Sequence, residues 1–317
     1  MRVLVTGGAG YIGSFAVKSL LDKGHKVTVF DSLENGHKKA VDKRAKLVIG
    51  NLNDTKKISD AIKGHDAVMH FAGYIDVAES MRNPKKYYEN NLANGTNLLN
   101  AMVDNKVSKI VFSSTAAVYG NPEKTPITEN SPTKPINHYG ASKLMFEKAL
   151  QVYENIGINS VALRYFNVAG AAPDASLGEN HEPETHLIPK ILFAAKKGEP
   201  INVFGNDYPT KDGTCIRDYI HVQDLIDAHL LALDYLVKNK KSEVFNLGNQ
   251  KGFSVLEVIK ACEKAVGKKI KIKYNARRPG DPPVLIASSE KIRSVLGWKP
   301  EHDINSIAKT AWLWHRK

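Results

Sequence analysis

The chain has 317 residues, 42% hydrophobic and 25% charged, and this near-average composition excludes collagen, a coiled coil and wholesale disorder. No apolar run approaches the roughly 18 residues of a membrane span, and the N-terminal run lacks the features of a signal peptide. Cys215 and Cys262 are the only cysteines, so we predict no disulfide framework and a cytoplasmic location. The net charge is +12, but the lysines are dispersed, so we expect no nucleic-acid partner and no membrane association.

The first half of the chain alternates between strand-like and helical patterns. The strand-like runs are short and rich in Val and Ile, as in strands that are buried on both faces, and lie at 2–6, 26–31, 46–49, 67–72, 109–114 and 160–166. Helical patterns at 12–23, 55–63, 87–105 and 140–155 lie between most of them. This alternation predicts an α/β fold with a doubly wound parallel sheet and helices on both faces.

The regular alternation of strands and helices ends after Asn167, and a long polar loop is predicted at 169–184. Beyond it we predict short strands at 201–204, 215–221, 243–247 and 271–275, helices at 187–197, 222–237 and 255–266, and two short helices at the end. Ser254 and Glu257 have the spacing of a capping box. We therefore predict a nucleotide-binding domain at 1–168 and a smaller α+β substrate domain at 169–317, with a border that allows later segments to return to the first domain.

A glycine-rich turn follows the first predicted strand and opens the first predicted helix. Gly7, Gly10 and Gly13 are spaced as in dinucleotide-binding turns, where the backbone must approach a pyrophosphate and the helix N-terminus attracts its charge. Asp31 ends the second predicted strand, 18 positions after Gly13. A carboxylate there accepts a hydrogen bond from a ribose 2′-OH and repels a 2′-phosphate. The first domain is thus predicted to be an NAD-binding Rossmann fold.

Tyr139 and Lys143 are four residues apart in a helical pattern, so their side chains share one face. A phenol has a pKa near 10, and a fixed cation nearby and a bound nicotinamide cation both favour its anionic form. Alone, such a pair is ordinary in helices. Its position after a strand that ends in Ser113, Ser114 and Thr115 makes it a candidate catalytic pair, because ligands bind at the carboxyl edge of such sheets.

These motifs, with the stretches at 113–120, 164–167, 204–210, 217–222 and 277–281, resemble the extended short-chain dehydrogenase/reductase family, and within it the nucleotide-sugar 4-epimerases. The resemblance runs from residue 2 into the C-terminal region. It implies that hydride passes from C4 of a UDP-hexose to tightly bound NAD and returns to the other face of a 4-keto sugar. UDP-galactose would thereby become UDP-glucose, with NAD regenerated in each turnover.

The resemblance also implies roles for individual residues. Tyr139 is the implied base for the sugar 4-OH, Lys143 the partner of the nicotinamide ribose that lowers the pKa of Tyr139, and Thr115 the hydrogen-bond partner of the 4-oxygen. The implied cofactor-binding residues are Gly7, Gly10, Tyr11, Ile12, Gly13, Asp31, Asn35, Asn51, Leu52, Phe71, Ala72, Asn90, Ser113, Tyr139, Lys143 and Tyr165. The implied substrate-binding residues are Thr115, Tyr139, Asn167, His186, Leu187, Asn202, Phe204, Arg217, Tyr219, Arg278, Asp281 and Leu285.

Three positions depart from the family pattern or leave it open. Asn51 stands where the family often has Asp beside the adenine, and Ile75 stands where some members carry Lys. Leu285 matches the position that gates N-acetylated sugars, and its size is intermediate. The substrate could therefore also be UDP-GlcNAc or UDP-GalNAc, a UDP-uronic acid or a UDP-pentose. A net NAD-dependent oxidoreductase is a further alternative.

Other features narrow the choice. Ala116 and Ala117 provide no carboxylate where related dehydratases and decarboxylases carry one. The segment from His181 to His186 lacks the spacing of a zinc helix, so we predict a solvated loop and no metal. The family resemblance implies a homodimer that pairs the helices near 87–105 and 140–155.

Overall fold

The computed structural model describes residues 1–278 and 281–317. In chain order its strands are β1 (Arg2–Thr6), β2 (Lys26–Asp31), β3 (Lys46–Ile49), β4 (Ala67–His70), β5 (Lys109–Ser113), β6 (Asn159–Tyr165), β7 (Asn167–Ala169), β8 (Ile201–Phe204), β9 (Ile216–Arg217), β10 (Tyr219–His221), β11 (Glu243–Leu247), β12 (Phe253–Ser254), β13 (Ile272–Asn275) and β14 (Val284–Leu285). Its α-helices are α1 (Tyr11–Asp22), α2 (Thr55–Ile62), α3 (Val77–Arg82), α4 (Pro84–Tyr87), α5 (Asn94–Asp104), α6 (His138–Glu154), α7 (Leu187–Lys197), α8 (Val222–Asn239), α9 (Val255–Val266), α10 (Glu290–Leu296) and α11 (Ile304–His315). Short 3-10 helices cover Lys38–Ala40 and Ala116–Tyr119.

The main sheet has seven parallel strands in the order β11-β6-β5-β4-β1-β2-β3. Its central strands are almost fully buried, which explains their unbroken apolar runs. The order turns around at β1, with β2 on one side and β4 on the other, and ligands bind at such a switch point in open α/β sheets. The predicted doubly wound α/β fold is confirmed.

Segments that follow residue 168 contribute to this main sheet. Helix α8 packs against β5 and β6, and strand β11 pairs in parallel with β6 along the sheet edge. A second apolar core lies between α7, α9 and α11. Helix α9 begins with the predicted capping box of Ser254 and Glu257. Among the described residues, no helix is long and apolar enough to cross a membrane.

Two predicted elements are broken in the structure. The helix predicted at 87–105 is divided by a π-helical turn at Tyr88–Ala93. The strand predicted at 215–221 is split into β9 and β10, which belong to different sheets. The split occurs at the buried Asp218, whose carboxylate accepts backbone N–H groups of Asn249 and Ala287. A carboxylate that is satisfied in this way holds the chain in a bend instead of continuing one strand.

Candidate functional site

The glycine turn packs so closely that side chains are excluded. A Cβ on Gly7, which has φ +73°, would lie 2.5 Å from the backbone nitrogen of Ala72, and one on Gly13 would lie 2.1 Å from the Gly7 carbonyl oxygen. Helix α1 begins after Gly10, and no side chain in the described part of the chain caps it, so its first N–H groups remain available to an outside acceptor. The cradle therefore fits the pyrophosphate of a dinucleotide.

Asp31 lies at the carboxyl end of β2, beside this turn, and is 8% exposed. Its Oδ2 accepts the Ala9 N–H at 2.9 Å and its Oδ1 accepts the Leu33 N–H at 2.8 Å. Each carboxylate oxygen has room for a second donor. The structure thus places Asp31 where the sequence predicts a ribose partner, and Asn35 lies exposed in the loop that follows.

A cavity of about 310 Å³ lies beyond β3 and the π-helical turn, with Asn51, Tyr74 and Asn90 in its lining. Two of these residues, Asn51 and Asn90, are predicted cofactor ligands. The neighbouring Asn91 is buried and pairs with both the N–H and the carbonyl of Tyr74 at 2.9 and 3.0 Å. The π turn therefore directs successive asparagines to different tasks, an arrangement frequent at functional sites. The sequence analysis missed Asn91, and the Asn90-Asn91 pair was the available signal.

Other predicted cofactor ligands surround the same edge of the sheet. Tyr11 donates to the Gly170 carbonyl at 2.6 Å, and Phe71 packs beside His229 with ring centroids 4.8 Å apart. Leu52, directly after Asn51, is buried. Three further predicted cofactor ligands lie at this edge. Ile12 is in the first turn of α1, Ala72 lies just after β4, and Ser113 is the last residue of β5.

Helix α6 presents Tyr139 and Lys143 to the carboxyl end of β5. Asn137 caps this helix by accepting the Gly140 N–H at 2.7 Å, which is why it begins two residues before the predicted start. Lys143 is 4% exposed, and its Nζ donates to the Ser113 carbonyl at 3.0 Å. Burial lowers the pKa of Lys143 to about 8, although nearby Glu147 works to raise it.

The Tyr139 phenol is 9% exposed, and Thr115 beside it is 7% exposed. Burial raises the pKa of Tyr139 above its ordinary value, and hydrogen bonding with Thr115 opposes that rise. The predicted lowering of this pKa by Lys143 includes the charge of a bound nicotinamide, so it stays a prediction for the cofactor-bound chain. In the structure the Lys143 ammonium donates to the Ser113 carbonyl.

Tyr165 and His70 complete the floor of this region. The Tyr165 hydroxyl lies 2.5 Å from Ser113 Oγ. His70 Nδ1 lies 2.6 Å from Thr6 Oγ1, and burial, with the charge of Lys143, lowers its pKa to about 3. His70 is therefore a neutral structural histidine at neutral pH.

A buried ion pair lies one helical turn beyond Lys143. Arg164 donates to Glu147 through Nε at 3.0 Å and Nη2 at 2.5 Å, and the two side chains are 8% and 3% exposed. Ser114 Oγ donates to the same carboxylate at 2.5 Å. Arg164 Nη1 also donates to the Tyr119 hydroxyl at 2.8 Å. The sequence analysis assigned no role to Glu147, although its i+4 spacing from Lys143 was visible.

The predicted sugar-nucleotide ligands lie on the smaller sheets. Arg217 on β9 is ion-paired with Asp281, and the Arg278 guanidinium lies 4.1 Å from the Phe204 ring centroid. Asp281, the carboxylate partner of Arg217, is itself a predicted substrate ligand. Of the motif at 277–281, Pro279 and Gly280 lie outside the described residues.

The remaining predicted substrate ligands lie on several elements that follow β6. Asn167 Nδ2 donates to the Asp218 carbonyl at 3.0 Å. Asn202 Oδ1 accepts from Asn275 at 3.0 Å. Tyr219 is buried in β10, Leu187 opens α7 directly after His186, and Leu285 in β14 packs near Val118, Tyr119 and Ile127.

Backbone hydrogen bonds join the segment that follows Thr115 to the segment that follows β14. The Ile127 N–H donates to the Ile286 carbonyl, and its carbonyl accepts the Ser288 N–H, both at 2.8 Å. This places Leu285 beside the segment that follows Thr115. The structure therefore brings the catalytic candidates and part of the predicted sugar-nucleotide wall to one edge of the main sheet.

The predicted solvated loop at 181–186 differs in the structure. His186 Nδ1 pairs with Glu179, and the side chains of Glu179 and Glu184 are only 3% and 8% exposed. Glu179, His181, Glu184 and His186 together bring one ligating atom each to within 4.8 Å of the others. The Glu184 carboxylate turns back on the loop and accepts the N–H groups of Thr185 and His186.

Comparison with known proteins agrees with this geometry. The model of the NAD dependent epimerase/dehydratase family matches residues 3–248. A UDP-glucose 4-epimerase of Lactobacillus helveticus is 52% identical over 100% of this chain and 97% of its own length.

Two solved structures are similar over 100% of this chain and 98% of their own. One is a UDP-glucose 4-epimerase from Bifidobacterium longum in complex with NAD⁺ and UDP, with a TM-score of 0.94 and 39% identity. The other, from Stenotrophomonas maltophila with bound NAD and formylated UDP-arabinopyranose, has a TM-score of 0.96 and 40% identity. The family resemblance predicted from the sequence is confirmed: the chain belongs to the NAD dependent epimerase/dehydratase family.

Proposed function

We propose that this chain interconverts UDP-galactose and UDP-glucose by NAD-dependent oxidation and reduction at C4. The observation that carries the proposal is the pair of buried side chains, Tyr139 and Lys143, at the strand end that carries Ser113 and Thr115. This pair lies at the same sheet edge as a glycine cradle that fits a pyrophosphate. The similarity to UDP-glucose 4-epimerases along the whole chain supports the same reaction.

The proposed mechanism assigns proton handling to the chain. When bound, NAD⁺ supplies the hydride acceptor for sugar C4, its reduced form returns that hydride, and its positive charge favours the phenolate of Tyr139. Tyr139 Oη takes the proton of the sugar 4-OH as the C4–H bond breaks, and gives it back when the C4–H bond forms again. Thr115 donates a hydrogen bond to the 4-oxygen, and Lys143 binds the nicotinamide ribose.

The raised pKa of Tyr139 explains why the chain's own groups are insufficient. Each unit of pKa corresponds to about 1.36 kcal/mol of preferential stabilisation. Among the chain's own groups, the Thr115 hydrogen bond does not offset the cost of burying a phenolate. We propose that the charge of the bound cofactor supplies the further stabilisation that the phenolate needs.

Inversion at C4 requires the hexose to present both faces while the nucleotide stays in place. Arg217 and Arg278 supply guanidinium groups suited to bidentate contact with the pyrophosphate. Arg217 is already oriented by Asp281, and Arg278 by the Phe204 ring. We propose that these contacts hold the UDP moiety while the 4-keto sugar turns over between the two hydride transfers.

The function is tested by mixing the purified chain with UDP-galactose, adding no NAD, and following UDP-glucose by NMR. We expect product without added cofactor, because the cofactor is regenerated in each turnover and stays bound. An absence of product with NAD added would overturn the hexose assignment and direct the assay to UDP-uronic acids and UDP-pentoses. Stoichiometric NADH release would favour the net oxidoreductase.

Leu285 is proposed to set the tolerance for N-acetylated sugars. Leu285→Tyr should lower kcat/KM for UDP-GalNAc relative to UDP-galactose by about tenfold or more, since a larger side chain occupies the room of the acetamido group. Leu285→Ala should shift the same ratio in the opposite direction. The ratio is measured by coupled assay or NMR with both substrates, and equal ratios in all three proteins would place Leu285 outside the sugar pocket.

We also propose a homodimer formed by α5 and α6. Met145, Val152 and Ile156, on and just after α6, are 46%, 64% and 60% exposed, and Val103 on α5 is 38% exposed. Apolar residues exposed along two packed helices are typical of a face that a partner covers. A second copy of the chain would bury them as a four-helix bundle.

The joint substitution Val152→Glu and Ile156→Glu should convert this dimer into a monomer, because four carboxylates would meet across a two-fold interface. Light scattering coupled to size-exclusion chromatography gives the mass directly. Val237→Glu on α8, which replaces a 39% exposed residue, is the control and should leave the mass unchanged. A wild-type mass of a single chain would contradict the dimer.

Two coarser assignments accompany this proposal. We propose that residues 1–168, with α8 and β11, form the cofactor domain and that the rest of 169–317 forms the sugar-nucleotide domain. The pairing of β11 with β6 and the separate core of α7, α9 and α11 support this division. A cytoplasmic location is proposed from the paucity of cysteine.

A further inference from the structure

The loop between β7 and α7 carries a cluster that the proposed reaction does not use in full. Glu179, His181, Glu184 and His186 each present a nitrogen or oxygen atom, and these four atoms lie within 4.8 Å of one another. His181 Nδ1 is 3.2 Å from Glu179 Oε1 and 3.9 Å from Glu184 Oε1. His186 Nδ1 contacts the same Glu179 oxygen. We propose that these four side chains bind one divalent transition-metal ion of the zinc type.

The donor set matches that class of ion. Imidazole nitrogens and carboxylate oxygens are zinc ligands, with bond lengths of about 2.0–2.2 Å and tetrahedral geometry in structural sites. Two histidines and two glutamates provide the four ligands that such a site requires. A tetrahedron with those bonds separates its ligand atoms by roughly 3.4 Å, so the cluster needs only small side-chain adjustments to close around an ion.

Unpartnered polar atoms point to a missing ligand. Glu184 has a side chain that is only 8% exposed, and its Oε2 is buried with no hydrogen-bond partner in residues 1–278 and 281–317. His181 Nδ1 is also buried, and its contact with Glu179 Oε1 at 3.2 Å lacks hydrogen-bond geometry, so it has no hydrogen bond among the described residues. Buried polar atoms are almost always paired, and these two lie in one cluster. A cation would satisfy both at once, whereas the bond between Glu179 and His186 satisfies neither.

The surrounding chain holds the cluster in place. Trp314 Nε1 on α11 donates to the Glu179 carbonyl at 2.7 Å, and the side chain of His37 contacts the Asn180 carbonyl at 3.1 Å. Glu184 Oε1 accepts the N–H groups of Thr185 and His186 at 2.7 and 2.8 Å. The Glu179 backbone and the Glu184 carboxylate are therefore held in place before an ion binds. The 43% exposure of the His186 side chain leaves an open side through which an ion can enter.

The ion would have a structural role. Four protein ligands fill a tetrahedral shell and leave no position for substrate. The Tyr11 ring of the glycine turn lies 6.5 Å from the His181 ring, and α7 begins directly after His186. Metal binding would therefore fasten the start of α7 to the loop beside the cofactor cradle and raise the thermal midpoint of the chain.

The test uses the untagged full-length chain after treatment with EDTA, titrated with Co²⁺ and followed by visible absorption, then with Zn²⁺ in competition. We expect one Co²⁺ per chain, the intense bands of tetrahedral cobalt, and their loss as zinc displaces it. His181→Gln and Glu184→Gln should each weaken binding by roughly tenfold or more, since even the partners of metal ligands contribute that much. The amide oxygen that Glu184→Gln introduces can still accept both backbone N–H groups, so this variant should fold normally.

His25→Gln, at the opposite end of β2, is the matched control and should bind both ions as the wild type does. The absence of saturable binding by a folded wild-type chain would overturn the site. Binding that both cluster variants retain at full affinity would overturn it as well, because the ion would then be held elsewhere. None of these readouts depends on epimerase activity, so the site and the proposed function can fail separately.

Discussion

Replacing Tyr139 by phenylalanine should lower kcat by roughly 10²–10⁴-fold, the range that a positioned general acid–base contributes. The substitution removes only the phenolic hydroxyl, so the ring still fills its 9% exposed position on α6. Lys143 keeps its bond to the Ser113 carbonyl, and the glycine cradle is unaffected. The loss should therefore appear in kcat, with the bound cofactor retained after purification.

The measurement compares kcat, KM and cofactor content for Tyr139→Phe, the wild type and Tyr235→Phe. Tyr235 lies on α8, where its ring packs against Phe245, so its variant controls for the loss of a tyrosine hydroxyl away from the site. If Tyr139→Phe kept more than about a tenth of the wild-type kcat, the proton would have to move by another route. Thr115, which lies beside the phenol, would then be the first residue to test.

The features that the sequence predicted well are those encoded within a few residues. The glycine turn, Asp31 at the end of β2 and the spacing of Tyr139 and Lys143 each depend on one strand–turn–helix unit. Their positions at one edge of the sheet then follow from the parallel order of the strands. Local patterns therefore indicate a candidate cofactor site without any knowledge of long-range contacts.

What the sequence could not predict depends on partners that are distant along the chain. Asp218 breaks a strand-like run because residues 249 and 287 supply the N–H groups that it accepts. The direction of the Tyr139 pKa depends on how deeply its phenol is buried by the rest of the chain. The inward fold of the loop at 179–186 depends in part on Trp314 of α11. Such contacts carry no periodic signal.

Arg164→Met should lower the free energy of unfolding by about 3–5 kcal/mol, the cost of leaving one partner of a buried ion pair uncompensated. Glu147 is 4% exposed, and after the substitution Ser114 would be its one remaining hydrogen-bond donor among those that the structure describes. Unfolding in urea, followed by circular dichroism, gives the change. Lys18→Met, in a pair whose side chains are 43% and 45% exposed, is the control and should change little because solvent screens that pair.

The double variant Glu147→Leu with Arg164→Met separates loss of charge pairing from loss of packing. It removes both charges and fills the site with apolar side chains, so it should recover much of the lost stability. Recovery of stability need not restore activity. In Arg164→Met the uncompensated Glu147 lies one helical turn from Lys143 and attracts its ammonium, as the opposing effect of Glu147 on the Lys143 pKa indicates. If the double variant is as unstable as Arg164→Met, the packing of Arg164 against the Tyr119 ring, 5.0 Å away, contributes more than the charge pair. If the double variant recovers both stability and kcat, the role of Arg164 is to neutralise Glu147. Lys143 then keeps its hydrogen bond to the Ser113 carbonyl.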